Sequence, residues 1–119
     1  MNLKLVCIKR IYDSFSEEDG CRVLVDRLWP RGITKEKARL DYWLKDIAPS
    51  SNLRKSFGHN PDMWKLFREK YWKELDDKSQ AISEMHVLCE NQKVTLLYSA
   101  KDIHCNNAVV LRDYLRSKI

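Results

Sequence analysis

The chain has no apolar run approaching the roughly 20 residues needed to cross a bilayer, and its first residues, "MNLKLVCIKR", alternate before turning basic, the reverse of a secretory leader. Neither a membrane span nor a secretory route is expected, and the sequence reads as that of a cytoplasmic protein. Its four cysteines, Cys7, Cys21, Cys89 and Cys105, include no C-x-x-C pair and no histidine at metal-ligand spacing, so neither a disulfide framework nor a structural metal is expected. Cys7 and Cys89 read as small core residues. Only three glycines occur, and there is no Gly-rich phosphate loop, metal motif or nucleophile elbow. The sequence calls for no cofactor. Repeats, low-complexity tracts and linkers are absent, and no run of five or six like charges appears.

What is present fits a single globular domain. A chain of 119 residues with 44% hydrophobic and 33% charged residues is long enough for one core that folds alone. The formal net charge of +5 permits nucleic-acid binding without establishing it. Acidic and basic residues are interleaved almost everywhere, as on solvated helix surfaces.

Strand and helix patterns alternate. "LKLVCIKRIY", with Leu3, Leu5 and Cys7 in alternation, predicts a first strand buried on much of both faces. A polar loop with a turn at Asp19-Gly20 leads to "RVLVD", whose continuous Val23-Leu24-Val25 run suits a central parallel strand. Thr34 offers a cap to a short helix over Lys35 to Leu40. "LDYWLKDIAPS" fits a short strand or a helix face, the strand being preferred, and "SSNLRKSFG" predicts a short helix stopped by Gly58.

The clearest element is "HNPDMWKLFREKYWKELDDK". Asn60 caps it, Pro61 fits the first helical position, Asp62 faces the positive end of the dipole, and Trp64, Phe67, Tyr71 and Leu75 form a core stripe. "SQAISEMHVLCE" repeats the pattern up to a stop at Asn91, with His86 off the stripe and exposed. "VTLLYSA" is a last strand and "NNAVVLRDYLRSKI" a final helix. This succession predicts an α/β fold: one domain with a mostly parallel central sheet of about four strands and helices on both faces.

In such sheets ligands bind outside the carboxyl ends of the strands. The second strand ends in Asp26, Arg27, Leu28, Trp29, Pro30 and Arg31, and the last ends in Ser99, Ala100, Lys101 and Asp102, its helix opening around Asn106 and Asn107. If the two strand ends meet, Arg27, Arg31 and Lys101 with a helix N-terminus form a cationic recess suited to phosphate or carboxylate. The competing reading is a scaffold, in which Asp26 pairs with Arg27 or Arg31, Trp29 lids the core and Pro30-Gly32 turns the chain. Buried ion pairs contribute little net stability relative to apolar replacements, so folding alone is a weak reason to gather two arginines here.

"RVLVDRLWPRGITKEKA", "LDYWLKDIAPS", "LRKSFGHNPDMWKLFREKYWKEL", "VTLLYSAKD" and "NNAVVL" resemble the YeaO-like branch of the bacterial domain-of-unknown-function family 488. The resemblance runs nearly end to end, and long blocks such as "VDRLWPRG" and "FGHNP" make it specific. It implies a compact cytosolic α/β domain and brings no established reaction. The wider family is similar in having a Cys-His-Arg triplet just after its last strand, where this chain reads Asn106-Asn107-Ala108 after Cys105. A thiol at a helix N-terminus near Lys101 can have a lowered pKa, but one cysteine with no placed histidine is weak grounds for a nucleophile.

His59, in a Gly-His-Asn-Pro loop, is the best general acid/base candidate, the bland alternative being a loop histidine bonded to backbone; Asp26 and Asp46 are its candidate partners. The reading is a protein that binds a small anionic molecule through Arg27, Trp29, Arg31, Ser99, Lys101, Asn106 and Asn107, compatible with a hydrolase or transferase using His59 or Asp26. The alternative is a nucleic-acid-binding module using the net charge and an exposed Trp29.

Overall fold

The computed structural model describes residues 5–118. Leu3 of the predicted first strand and Ile119 of the final helix lie outside the described residues. Four strands, β1 (Val6–Arg10), β2 (Cys21–Leu24), β3 (Tyr42–Trp43) and β4 (Val94–Tyr98), form one parallel sheet in the order β1-β4-β2-β3. The helices are α1 (Lys35–Ala38), α2 (Ser51–Phe57), α3 (Trp64–Asp76), α4 (Ser79–Glu90) and α5 (Asn107–Ser117). The α/β architecture read from the sequence is the one observed.

The continuous apolar runs occupy the middle of the sheet. Every residue of β2 and β4 is buried, as expected where both faces are covered. β1 lies at an edge and is half-buried beyond Val6, less enclosed than its sequence predicts. Cys7 is accordingly half-buried rather than a core residue, whereas Cys89 and also Cys21 are buried. The ambiguous "LDYWLKDIAPS" segment contains a two-residue strand and a 3-10 turn, Lys45–Ile47.

The period-2 alternation divides the core in two. Val6, Cys21, Val23, Val94, Leu96 and Tyr98 face the main core, built with α2 to α5. Leu24 and Leu97 face the other side, where Ile11 and Ala38 of α1 complete a smaller cluster flanked by Trp29 and Trp43. Helices thus cover both faces, unequally. The smaller side also encloses charge: Arg22 is 1% exposed, pairs with Asp19 at 2.5 Å and donates from Nε and Nη2 to Ala38 O, while Lys9 reaches Asp19 at 3.1 Å.

Local capping follows the sequence. Thr34 accepts from Lys37 N, Asn60 from Asp62 N and Asn106 from Val109 N. Pro61 opens a 3-10 turn, Pro61–Met63, before α3 begins at Trp64. Phe67, Tyr71 and Leu75 are buried on the predicted stripe, with Trp64 and Trp72 packed at its margin. His86 is half-buried rather than exposed, its Nε2 3.4 Å from Leu115 O.

Candidate functional site

The chain leaves β2 and β4, adjacent strands, toward opposite faces. After β2 it passes through Trp29 and Ile33 on the smaller side; after β4 it enters α5 in the main core. Divergence of this kind opens a crevice at the carboxyl ends of the strands, and a cleft of about 430 Å³ lies there. Its walls include Asp26, Arg27, Trp29, Arg31, His59, Ser99, Asn106 and Asn107. Of the anion-binding residues named from the sequence, Lys101 does not line it; that side chain is exposed.

The two strand ends are tied through Asp26. Its Oδ2 accepts from Ser99 N at 3.0 Å and Ser99 Oγ at 2.7 Å, and its Oδ1 accepts from Asn107 Nδ2 at 3.0 Å. The same Asn107 amide donates to Val25 O at 2.9 Å. Asp26 therefore pairs with neither arginine, and the scaffold reading is corrected in its detail: a serine and an asparagine hold the acid. Asn106 is 2% exposed and occupied on both sides, capping α5 through Val109 N and donating to Asp102 O at 2.9 Å.

The arginines separate in role. Arg27 donates from Nε to Pro49 O at 3.1 Å and from Nη2 to Ala48 O at 3.2 Å. Lys78 donates to Asp46 O and Ala48 O, and Tyr71 donates to Ile47 O at 2.6 Å. Four consecutive carbonyls, 46 to 49, are thus capped by side chains, and Arg27 is half engaged in the fold. Burial, with Arg27 nearby, lowers the Lys78 pKa. Arg31 differs: its carbonyl accepts from Tyr12 Oη at 2.7 Å, but its side chain is exposed and forms no hydrogen bond or ion pair among the described residues.

Trp29 is half-buried rather than exposed. It stands edge-on to Trp43 with centroids 5.3 Å apart and donates from Nε1 to Ile33 O at 2.8 Å. His59 lines the cleft from the turn after α2, in a left-handed conformation with φ +58° that histidine tolerates better than most residues. It is exposed, 6.1 Å from the Phe57 ring, and no hydrogen bond joins it to Asp26 or to backbone among the described residues. Asp46 lies in a separate groove beside Lys78 and cannot partner it. Burial, and secondarily Asp102, pushes the Cys105 thiol up, opposite to the activation a helix N-terminus suggested. Asp102 is lowered by the His104 and Cys105 N–H groups that it accepts from.

Sequence reasoning missed Tyr12, Arg54, Phe57 and Phe67, which also line the cleft. Arg54 and Phe57 stand three apart on α2, the spacing that puts two side chains on one helix face. Arg54 is exposed and, like Arg31, has no acidic partner among the described residues. Arg10 braces the β4 exit by donating to Ala100 O at 2.9 Å and Ser99 O at 3.2 Å.

Comparison with known proteins places the chain in a family. Residues 5–119 match the family DUF488-N3i, described as the inactive DUF488-N3 subclade. The uncharacterized protein YeaO of Escherichia coli (strain K12) is 48% identical over 109 residues, covering 92% of this chain and 95% of that protein. The uncharacterized proteins Mb3100c of Mycobacterium bovis and Rv3073c of Mycobacterium tuberculosis are each 37% identical over 113 residues, covering 95% of both chains. No solved structure matches. The chain belongs to the DUF488-N3i family.

Proposed function

We propose that this member of the DUF488-N3 subclade binds a small phosphate- or carboxylate-bearing molecule in the cleft between the β2 and β4 exits. One observation carries the reading: Arg31 and Arg54 reach the cleft from different elements as exposed cations without acidic partners among the described residues. A guanidinium fork suits a carboxylate or phosphate, and pockets of several hundred Å³ are the usual size for small ligands.

Binding without turnover fits better than a hydrolase or transferase. Asp26 is held by three hydrogen bonds, His59 has no hydrogen-bonded residue orienting it among the described residues, and burial disfavours Cys105 as a thiolate. Acid/base and nucleophilic chemistry need a mutually oriented pair, and the subclade is described as inactive. The nucleic-acid reading loses its stacking platform, because Trp29 packs on Trp43.

A thermal-shift screen with inorganic phosphate, pyrophosphate and citrate tests the proposal, since a ligand that binds only the native state raises the melting temperature. At least one anion should raise Tm in the native protein and lose that effect in the Arg31→Ala/Arg54→Ala double variant. An equal rise in both proteins, or none in either, refutes it. An oligonucleotide whose affinity falls steeply with salt would favour the nucleic-acid reading instead.

A further inference from the structure

The chemistry of the cleft is not uniform, and its polarity restricts the ligand further. Beside the tied strand ends stand two fixed acceptors, and Arg27, which also lines the cleft there, is turned to the Ala48 and Pro49 carbonyls. The Asp26 carboxylate is held there by Ser99 and Asn107, and Asn107 Oδ1 accepts from no group among the described residues while its Nδ2 is engaged with Val25 O and Asp26. The free cations, Arg31 and Arg54, belong to the exposed parts of the wall. Much of the remaining lining is apolar or aromatic, with Phe57 and Phe67 buried and stacked on each other at 4.5 Å.

A simple anion is attracted by the arginines and repelled by Asp26. It stays near the cations and leaves the acceptors at the strand ends and the aromatic wall unmatched. A ligand that fills a cleft of about 430 Å³ must therefore present N–H donors to Asp26 and Asn107, a planar apolar body to the wall and an anionic group to the arginines. Carboxylates and side-chain amides are the groups that read the donor edges of nucleobases.

We infer that the cleft takes a nucleoside monophosphate whose base donates N–H groups to Asp26 and Asn107 Oδ1 while its phosphate meets Arg31 and Arg54. The inference rests on the anion-binding reading and sharpens it from a charge class to a ligand class. This orientation keeps the phosphate away from the fixed carboxylate, against which the reverse would set it.

Isothermal titration of the native full chain tests it with AMP, GMP, CMP, purine riboside 5′-monophosphate, ribose 5-phosphate and adenosine. Purine riboside 5′-monophosphate keeps the rings and phosphate but has no N–H donor on its base. At least one of the three nucleotides should bind tenfold or more tightly than purine riboside 5′-monophosphate, ribose 5-phosphate and adenosine. If ribose 5-phosphate or purine riboside 5′-monophosphate binds as tightly as the best nucleotide, the inference is overturned while anion binding stands. If adenosine matches AMP, or no phosphate binds, the anion reading falls and the inference falls with it. The Arg31→Ala and Arg54→Ala variants should each weaken AMP at least fivefold while leaving adenosine unchanged; equal weakening of both overturns the assigned orientation.

Discussion

Replacing Arg27 and Arg31 by alanine, one at a time, separates scaffold from site. Arg27 gives two charge-assisted hydrogen bonds, to Ala48 O and Pro49 O, and such bonds contribute about 1.5–3 kcal/mol each. Three features reduce the sum. The contacts are at 3.1 and 3.2 Å, the side chain is half-exposed, and Ala48 O keeps a second donor in Lys78 at 3.0 Å. Removing Arg27 also relieves the repulsion that helps to lower the Lys78 pKa. Only Pro49 O, in a buried residue, then loses its one donor among the described residues, so Arg27→Ala should cost about 1.5–3 kcal/mol, one such bond. Arg31→Ala removes an exposed side chain and keeps the carbonyl that Tyr12 uses, so its effect should stay within about 0.5 kcal/mol. Urea titration should show a lower midpoint with unchanged slope for Arg27→Ala alone, and the melting temperature should fall by roughly 3–6 °C per kcal/mol for a domain of this size. Equal losses in both variants, or no loss for Arg27→Ala, would refute the division of roles. Arg27→Lys is a further control, because an ammonium lacks the planar fork that serves two carbonyls at once.

Two further outcomes concern the rest of the fold. Burial opposes the Asp19 charge, but the Ser16 N–H, Lys9 and Arg22 outweigh it and hold its pKa below the usual value; the native state therefore binds fewer protons than the unfolded chain below about pH 4, and stability should fall as acidification passes through the folded pKa. In Asp19→Asn that acid slope should flatten, with a loss at neutral pH of about 3–5 kcal/mol because Arg22 is left buried without its partner; an unchanged slope between pH 5 and 3 in urea titrations sinks the assignment. Gly20 has φ +67° and a Cβ there would strike Lys93 O, whereas Gly32 has φ +77° and open space, so Gly32→Ala should cost roughly the 1–2 kcal/mol of left-handed strain and Gly20→Ala distinctly more; equal melting temperatures for the two would contradict the clash.

The parts of the fold visible in the sequence were those with a regular apolar pattern, continuous in the buried strands and spaced in the helices. Val23-Leu24-Val25 read as a central strand and "VTLLY" as a last strand because burial on both faces leaves nearly continuous apolar runs, and Phe67, Tyr71 and Leu75 mark α3 by helical spacing. β1 misled because an edge strand in a parallel sheet can carry an equally apolar sequence while one side stays open. The strand ends were legible as a meeting point, since β2 and β4 are neighbours and Asp26 reaches Ser99. What each side chain does there was not. The partners of Arg27 are carbonyls 21 and 22 residues away, and every residue has a carbonyl, so no sequence pattern singles them out. Arg54 was hidden for a different reason: its spacing to Phe57 shows that they share a helix face, but only the tertiary packing of α2 turns that face toward the cleft.

The cluster that ends β2 is costly to desolvate, and the structure divides that cost among different tasks. Asp26 sits where adjacent strands part, and three donors fix its carboxylate; a fixed acceptor loses no rotamer freedom when a ligand arrives, the general advantage of preorganisation. The same bonds join the β2 exit to the β4 exit and to the first residue of α5, so the acceptors cannot shift without the strand ends shifting too. Arg27 is committed to the Ala48 and Pro49 carbonyls and cannot follow a ligand without stranding Pro49 O. Arg31 and Arg54 carry no such obligation among the described residues and are the side chains able to move onto an anion. A fixed set of acceptors with exposed arginines around it, unpaired among the described residues, is the arrangement that the proposed anion site calls for.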